Sequence, residues 1–183
     1  MSARDEVVQR LAGLAGDACR IGIDGVDAAG KSTLAAELAA VLALHGARVA
    51  RVALDDFLPP PEERYRHGRD SPEGYYLDSF DHEAFREAVL HAPGTVVADG
   101  VFLQRAELDD LWDFRIFVDV PFEEVLRRAD LRDPADVRAR YERRYIPAQE
   151  RYLRERDPRG RADAVLDNTE PARPRLRVVA QAL

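Results

Sequence analysis

Ile21-Gly22-Ile23-Asp24-Gly25-Val26-Asp27-Ala28-Ala29-Gly30-Lys31-Ser32-Thr33 is the stretch from which the fold is read. Gly25, Gly30, Lys31 and Ser32 fill the fixed positions of the pattern G-x-x-x-x-G-K-[ST]. Glycines let a backbone curl until successive N–H groups converge on phosphate oxygens, and a helix starting there adds its positive end. The lysine reaches the outer phosphates, and the Ser32 hydroxyl is placed to join a Mg²⁺ shell. The pattern requires a buried strand before it and a helix after it. Ile21 and Ile23 supply the first, and Leu34, Leu38, Val41 and Leu42 recur at helical spacing until Gly46. Lys31 is the one lysine of the chain, whose other basic side chains are arginines. A compact ammonium thus stands where a phosphate loop needs a point charge and not a planar fork.

The 183 residues suffice for one domain spanning 1–183 with a substantial core. Apolar residues at 46% and charged residues at 33% describe a soluble globular chain. A net charge of −7 argues against nucleic acid as a partner, since a phosphate-tracking surface is usually basic. No apolar run is long enough to span a membrane and no signal peptide opens the chain, so the expected location is the cytoplasm. Cys19, the single cysteine, is expected to be a buried thiol beside the first strand.

Strands are expected at 20–24, 48–54, 95–99, 114–119 and 163–167, alternating with helices. That alternation predicts an α/β fold, a five-stranded parallel sheet covered on both faces. An amphipathic helix over 4–18 precedes it, with Val7, Val8, Leu11 and Leu14 as its apolar side. Two strands deliver acids at their C-terminal ends, Asp55-Asp56 after the second and Asp99 after the third. Ligands of open parallel sheets bind in the crevice outside these ends. Asp99, after four small or apolar residues, suits a Mg²⁺ partner.

Residues 58–80 form a long connection that Pro59-Pro60-Pro61 is expected to keep irregular. Its aromatic and charged mixture suits a small polar ligand, with Tyr65, Arg69 and Tyr76 as candidate substrate contacts. His67 lacks a Cys or His neighbour at ligand spacing and is not a candidate metal ligand. Farther on, arginines crowd the segment from Arg127 to Arg144. A salt-bridged helix pair and a lid over about 130–145, whose guanidiniums neutralise transferring charge, both fit. Arg128 and Arg132 are the arginines favoured for function.

With these elements in order, the chain resembles the phosphoribulokinase/uridine kinase family of P-loop kinases. The resemblance rests on Gly25 to Thr33, on Asp55-Asp56-Phe57 and on Ser79-Phe80-Asp81-His82. It continues through Val97-Ala98-Asp99-Gly100-Val101 and Arg127-Arg128 to Arg132-Asp133. It implies ATP- and Mg²⁺-dependent phosphorylation of a hydroxyl on a small molecule, in a uridine kinase-like way. Asp55 would take the proton, with Lys31, Arg128 and Arg132 completing the catalytic set and Asp81 holding substrate hydroxyls. Gly25, Asp27, Ala28, Ala29, Gly30, Lys31, Ser32, Thr33, Arg128 and Asn168 would hold the nucleotide, and Ser32 and Asp99 the metal.

Between the helix after Asp81 and the Asp99 strand, only His91-Ala92-Pro93-Gly94 fills a gap where uridine kinases insert nucleoside-holding residues. The acceptor therefore stays open among a nucleoside, pantothenate, a sugar and a sugar phosphate. An ATPase acting on a protein partner is the alternative from another class. A GTP switch is disfavoured, because the Asn/Thr-Lys-x-Asp element needs a second lysine.

Overall fold

The computed structural model describes residues 1–132 and 137–179, with the side chain of Arg132 outside the described set. Helix α1 (Ala3–Ala15) begins at Ser2 with a reciprocal cap. The Asp5 N–H donates to Ser2 Oγ at 3.1 Å and the Ser2 N–H to Asp5 Oδ2 at 2.7 Å. The chain then runs through β1 (Arg20–Gly25), α2 (Lys31–Leu44) and β2 (Val49–Ala53). Short helices α3 (Pro61–Arg64) and α4 (Pro72–Asp78) lead to α5 (His82–His91), β3 (Thr95–Asp99) and β4 (Phe114–Asp119). Helices α6 (Phe122–Arg132), α7 (Val137–Arg140), α8 (Ile146–Arg156) and α9 (Pro158–Arg161) precede β5 (Ala164–Asp167) and β6 (Arg175–Val178).

The strands form one sheet in the order β2-β3-β1-β4-β5-β6, parallel except for β6, which runs antiparallel to β5. The expected sheet of five parallel strands is thus extended by a sixth, reversed strand. Its residues are mostly exposed, so it carries almost no burial signal.

Period-two alternation divides the strand side chains between two cores. Ile21, Ile23 and Val97 pack with Leu11, Leu34 and Leu38 on one face. Val96 and Ala98 pack with Phe85, Phe102 and Trp112 on the other. β3 lies directly beside β1, with Ile23 in register with Asp99, so the phosphate loop and this acid share one end of the sheet. Among the described residues no helix is long and apolar enough to cross a membrane.

Three expectations are corrected. Leu14 is exposed, and the inward face of α1 is Val8, Leu11, Ala12 and Ala15. Cys19 is exposed, because it precedes the first buried strand residue. The 58–80 connection is not wholly irregular: Pro61 and Pro72 each open a short helix, proline's fixed φ suiting the first turn.

Candidate active site

The loop between β1 and α2 is built by what its glycines avoid. A Cβ on Gly25 would lie 2.4 Å from the Val118 carbonyl oxygen, so β1 and β4 could not approach as they do. Gly30 has φ +94° and would direct a Cβ to 2.7 Å from Asn168 Nδ2. Lys31 Nζ donates to the Val26 carbonyl at 2.8 Å, folding the ammonium over the loop. The Ser32 hydroxyl donates to Asp99 Oδ2 at 2.6 Å. Asp99 is 3% exposed and its Oδ1 has no hydrogen-bond partner among the described residues, with Arg51 at 3.6 Å.

These groups line a cavity of about 270 Å³ together with Thr33, Asp27 and Asp55. Asp56 does not line it. Partial withdrawal from water pushes the Asp55 carboxyl above its ordinary value, and Asp99 and Asp56 add to the push while Lys31 opposes it. Asp27 is raised first by burial and further by Asp55, again against Lys31. Its carboxylate accepts from the Tyr75 hydroxyl at 3.0 Å and from Gln149 Nε2 at 2.8 Å, and its N–H donates to Gln149 Oε1 at 2.8 Å. The phosphate loop is thereby tied to α4 and α8.

A second cavity of about 260 Å³ adjoins the first and shares Asp27, Asp55 and Tyr141 with it. Its walls are Tyr65, Tyr75, Phe80 and Tyr145, with Arg64 and Arg144 among its polar groups. Tyr141–Tyr145 is one turn of π-helix leading into α8. Such wider turns recur at functional sites. Asp55 stands where the two cavities meet.

Of the expected site residues, the structure brings Asp27, Ala28, Gly30, Lys31, Ser32, Thr33, Asp55 and Asp99 to the first cavity and Tyr65 to the second. Others have different surroundings. Asp81 lines neither cavity; its Oδ1 accepts the Ala84 N–H and caps α5. Tyr76 is buried in the sheet's second core, with the guanidiniums of Arg105 and Arg151 over its ring. Arg69 lines an outer hollow with Tyr65.

Arg128 reaches neither cavity. Its Nη1 donates to the Ala28 carbonyl at 3.0 Å and its Nη2 to the Asn168 carbonyl at 2.6 Å, with Nε on Glu124. Asn168 is buried and its Nδ2 donates to the Ala29 carbonyl at 2.6 Å. Both brace the back of the phosphate loop, and neither faces the space where phosphates would lie. The Arg132 side chain and residues 133–136 of the expected lid lie outside the described residues.

Tyr145 and Gln149 carry no signal in the sequence that marks them for the site; Tyr75 and Arg144 lie in the two stretches expected to serve it, but nothing in the spacing singles them out. Tyr75 and Tyr76 are neighbours on α4, about 100° apart, and only the helix phase decides which faces the cavity.

The donor set fits Mg·nucleotide. A buried Asp99 oxygen with no hydrogen-bond partner among the described residues, beside a serine hydroxyl and a lysine, suits a hydrated Mg²⁺, which takes few protein ligands and completes its shell with water and phosphate. Among the described residues no group of three or more His, Cys, Asp or Glu side chains could hold a metal alone. Phosphates would have to supply the rest.

Comparison with solved structures decides the architecture. A candidate uridine kinase from Bacillus stearothermophilus superposes with a TM-score of 0.70 at 24% identity, covering 90% of this chain and 97% of that one. The chain has the P-loop kinase fold. A candidate fructose transport system kinase from Silicibacter sp. TM1040 matches with a TM-score of 0.66 at 18% identity, over 81% of this chain and 95% of the other. Residues 1–60 also match the family model of the methylmalonyl Co-A mutase-associated GTPase MeaB, which covers α1, the phosphate loop, α2 and β2.

Proposed function

We propose that this protein is an ATP-dependent, uridine kinase-like phosphotransferase that phosphorylates a hydroxyl of a small molecule. The observation that carries the reading is the junction of two cavities at Asp55. One has the donors of a nucleotide-phosphate site, the other has aromatic and polar walls, and a carboxylate stands between them.

Bound Mg·ATP supplies the phosphoryl group and neutralises part of its charge. The chain's own residues do the remainder. Loop N–H groups and Lys31 hold the phosphates, and the Ser32 hydroxyl and Asp99 hold the metal side of the site. Asp55 would accept a hydrogen bond from the acceptor hydroxyl, orient its oxygen and take its proton as the new oxygen–phosphorus bond forms and the bond to the departing ADP breaks. The aromatic walls keep water from competing as acceptor. Positioning and electrostatics supply most of the acceleration in such transfers. As a small-molecule kinase with no membrane-crossing helix among its described residues, the protein is expected to work in the cytoplasm.

The MeaB match favours a second reading, a GTPase or partner-driven NTPase. The aromatic acceptor cavity and the absence of a second lysine for a guanine-reading element weigh against it. The experiment is ADP and GDP release from Mg·ATP and Mg·GTP against nucleosides, pentoses, hexoses, their phosphates and pantothenate, with product mass recorded. A phosphorylated product formed from ATP supports the kinase. Hydrolysis indifferent to every hydroxyl compound, and faster with GTP, supports the second reading.

A further inference from the structure

Thirteen of the chain's 26 arginines are ion-paired among the described residues. Arg4, Arg66, Arg86, Arg105, Arg127, Arg128, Arg138, Arg151 and Arg159 each have a carboxylate within 3.2 Å. Four others gather at the outer end of the second cavity with no such carboxylate among the described residues. Arg64 and Arg144 line that cavity, and Arg69, Arg140 and Arg144 line the hollow that continues from it past Tyr65. The guanidinium carbons of Arg64, Arg69 and Arg144 lie 4.8, 5.2 and 5.2 Å from the centre of the Tyr65 ring. Asp70 also lines the hollow, but forms an ion pair with none of the four.

Arg64 adds an independent observation. Its Nε is buried and has no hydrogen-bond partner among the described residues. A buried donor left unpaired is costly and asks for an explanation, and an arriving acceptor oxygen gives one. Arg144 is itself 2% exposed and spends its donors on the Gly68 and Arg69 carbonyls and the Ser79 hydroxyl, so it fixes the wall while leaving its charge uncancelled.

We propose that the acceptor carries an anionic group, a phosphate monoester, which docks among Arg64, Arg69, Arg140 and Arg144 while its hydroxyl lies at Asp55. This rests on the kinase reading above and narrows its substrate to a phosphorylated hydroxy compound, a sugar phosphate in kind. Four guanidiniums with no ion-paired carboxylate among the described residues exceed what one carboxylate can balance, whereas a phosphate monoester carries nearly two charges and three acceptor oxygens. The aromatic walls between the two ends suit the C–H faces of a small carbon skeleton. An uncharged nucleoside would leave the cationic end unpaired.

The test uses the whole protein with its nucleotide loop saturated by Mg²⁺ and a non-hydrolysable ATP analogue. Inorganic phosphate and malonate are then titrated calorimetrically into wild type, Arg64→Gln and Arg140→Gln. Arg140 is exposed, so its variant is expected to fold even if Arg64→Gln does not. Saturable phosphate binding weakened about tenfold or more by either variant supports the site. No phosphate binding, binding unchanged by both variants, or binding of malonate in place of phosphate overturns it. In turnover, ribose 5-phosphate is compared with ribose and uridine. A neutral acceptor phosphorylated equally well by wild type and Arg64→Gln sinks the anionic acceptor and keeps the kinase. Phosphate binding as expected, with no phosphoryl transfer to any hydroxyl, keeps the anion site and sinks the kinase.

Discussion

The Ser32 hydroxyl donates to Asp99 Oδ2 at 2.6 Å, joining the first turn of α2 to the end of β3, while Asp99 Oδ1 has no hydrogen-bond partner among the described residues. Neighbouring β1 and β3 make this contact possible, since their register brings both groups to the same end of the sheet. If the pair holds a metal, Asp99→Asn should raise the Mg²⁺ concentration needed for half-maximal turnover by about 10–100-fold. Mg²⁺ titration at fixed ATP checks this, and an unchanged requirement would take the metal role away from Asp99.

Lys31 Nζ rests on the Val26 carbonyl and must leave it to meet phosphate. Lys31→Ala should cut nucleotide binding or turnover severely. Lys31→Arg should not restore it, because a planar fork does not fit a site shaped around a point charge. Fluorescent-nucleotide titration of both variants decides, and binding at wild-type strength in either would remove the lysine from the site.

Asp55 lines both cavities and Asp56 neither, so the two neighbouring carboxylates should differ sharply on substitution. Asp55→Asn should lower transfer by about 10²–10⁴-fold with ATP affinity nearly unchanged, and Asp56→Asn should change little. In the proposed role Asp55 would work deprotonated, and its carboxyl is raised. The acid limb of kcat/KM should therefore fall at a pH above the ordinary aspartate value of about 3.9, and disappear in Asp55→Asn. A pH–rate profile with the same limb in both proteins would assign it to another group.

Arg128 and Asn168 grip loop carbonyls from behind, which predicts a signature unlike that of a charge-neutralising lid residue. Asn168→Ala leaves the Ala29 carbonyl without that donor and should cost about 1–3 kcal/mol of stability. Arg128→Ala should raise KM for ATP more than it lowers kcat, since the loop loses shape and not a contact made only in the transition state. A fall in kcat alone, at unchanged KM, would return Arg128 to the catalytic set.

Much of the phosphate-loop end of the molecule is legible in its residues, and what is not legible has physical reasons. The glycines, Lys31 and the strand before them read directly, because a phosphate loop constrains backbone and side chains at once. Asp55 and Asp56 lie in a turn of 3-10 helix after β2, so strand alternation is not what separates them; the helical turn aims Asp55 at the cavities. β6 is not legible: it is four residues long, its Arg-Leu-Arg-Val run is largely solvated, and Leu176 is the residue that packs inward. Nor can spacing tell where Arg128 points, since an arginine reaches in several directions from one helical position. Tyr76 stands beside Tyr75 in a proline-broken stretch too short to show helical phase. Asp81 resembles a substrate ligand by its motif, and in this fold its carboxylate is engaged by the first turn of α5.

His82 offers a test of the fold that is independent of nucleotide. It opens α5 and its Nε2 lies 3.1 Å from Arg105 Nη1, so the neutral ring accepts from a guanidinium that also holds the Tyr76 carbonyl and Glu107. Burial and then Arg105 push the imidazole down from 6.5 to about 4, against the weaker pull of Glu107 and Asp81. Between these values the unfolded chain binds a proton that the native ring refuses. Stability must then rise with pH across that window and fall as the pH drops through it. Each tenfold difference in proton affinity between the two states is worth about 1.4 kcal/mol, so the loss approaches about 3 kcal/mol by pH 4. Carboxylates titrate in the same range, so the wild-type curve alone does not isolate the histidine. His82→Gln keeps an acceptor for Arg105 and cannot be protonated. Urea midpoints measured from pH 7 to pH 4 should fall more steeply in wild type than in His82→Gln, the difference growing below about pH 6.5. Parallel curves for the two proteins would mean that the native ring takes up its proton as readily as the unfolded one does.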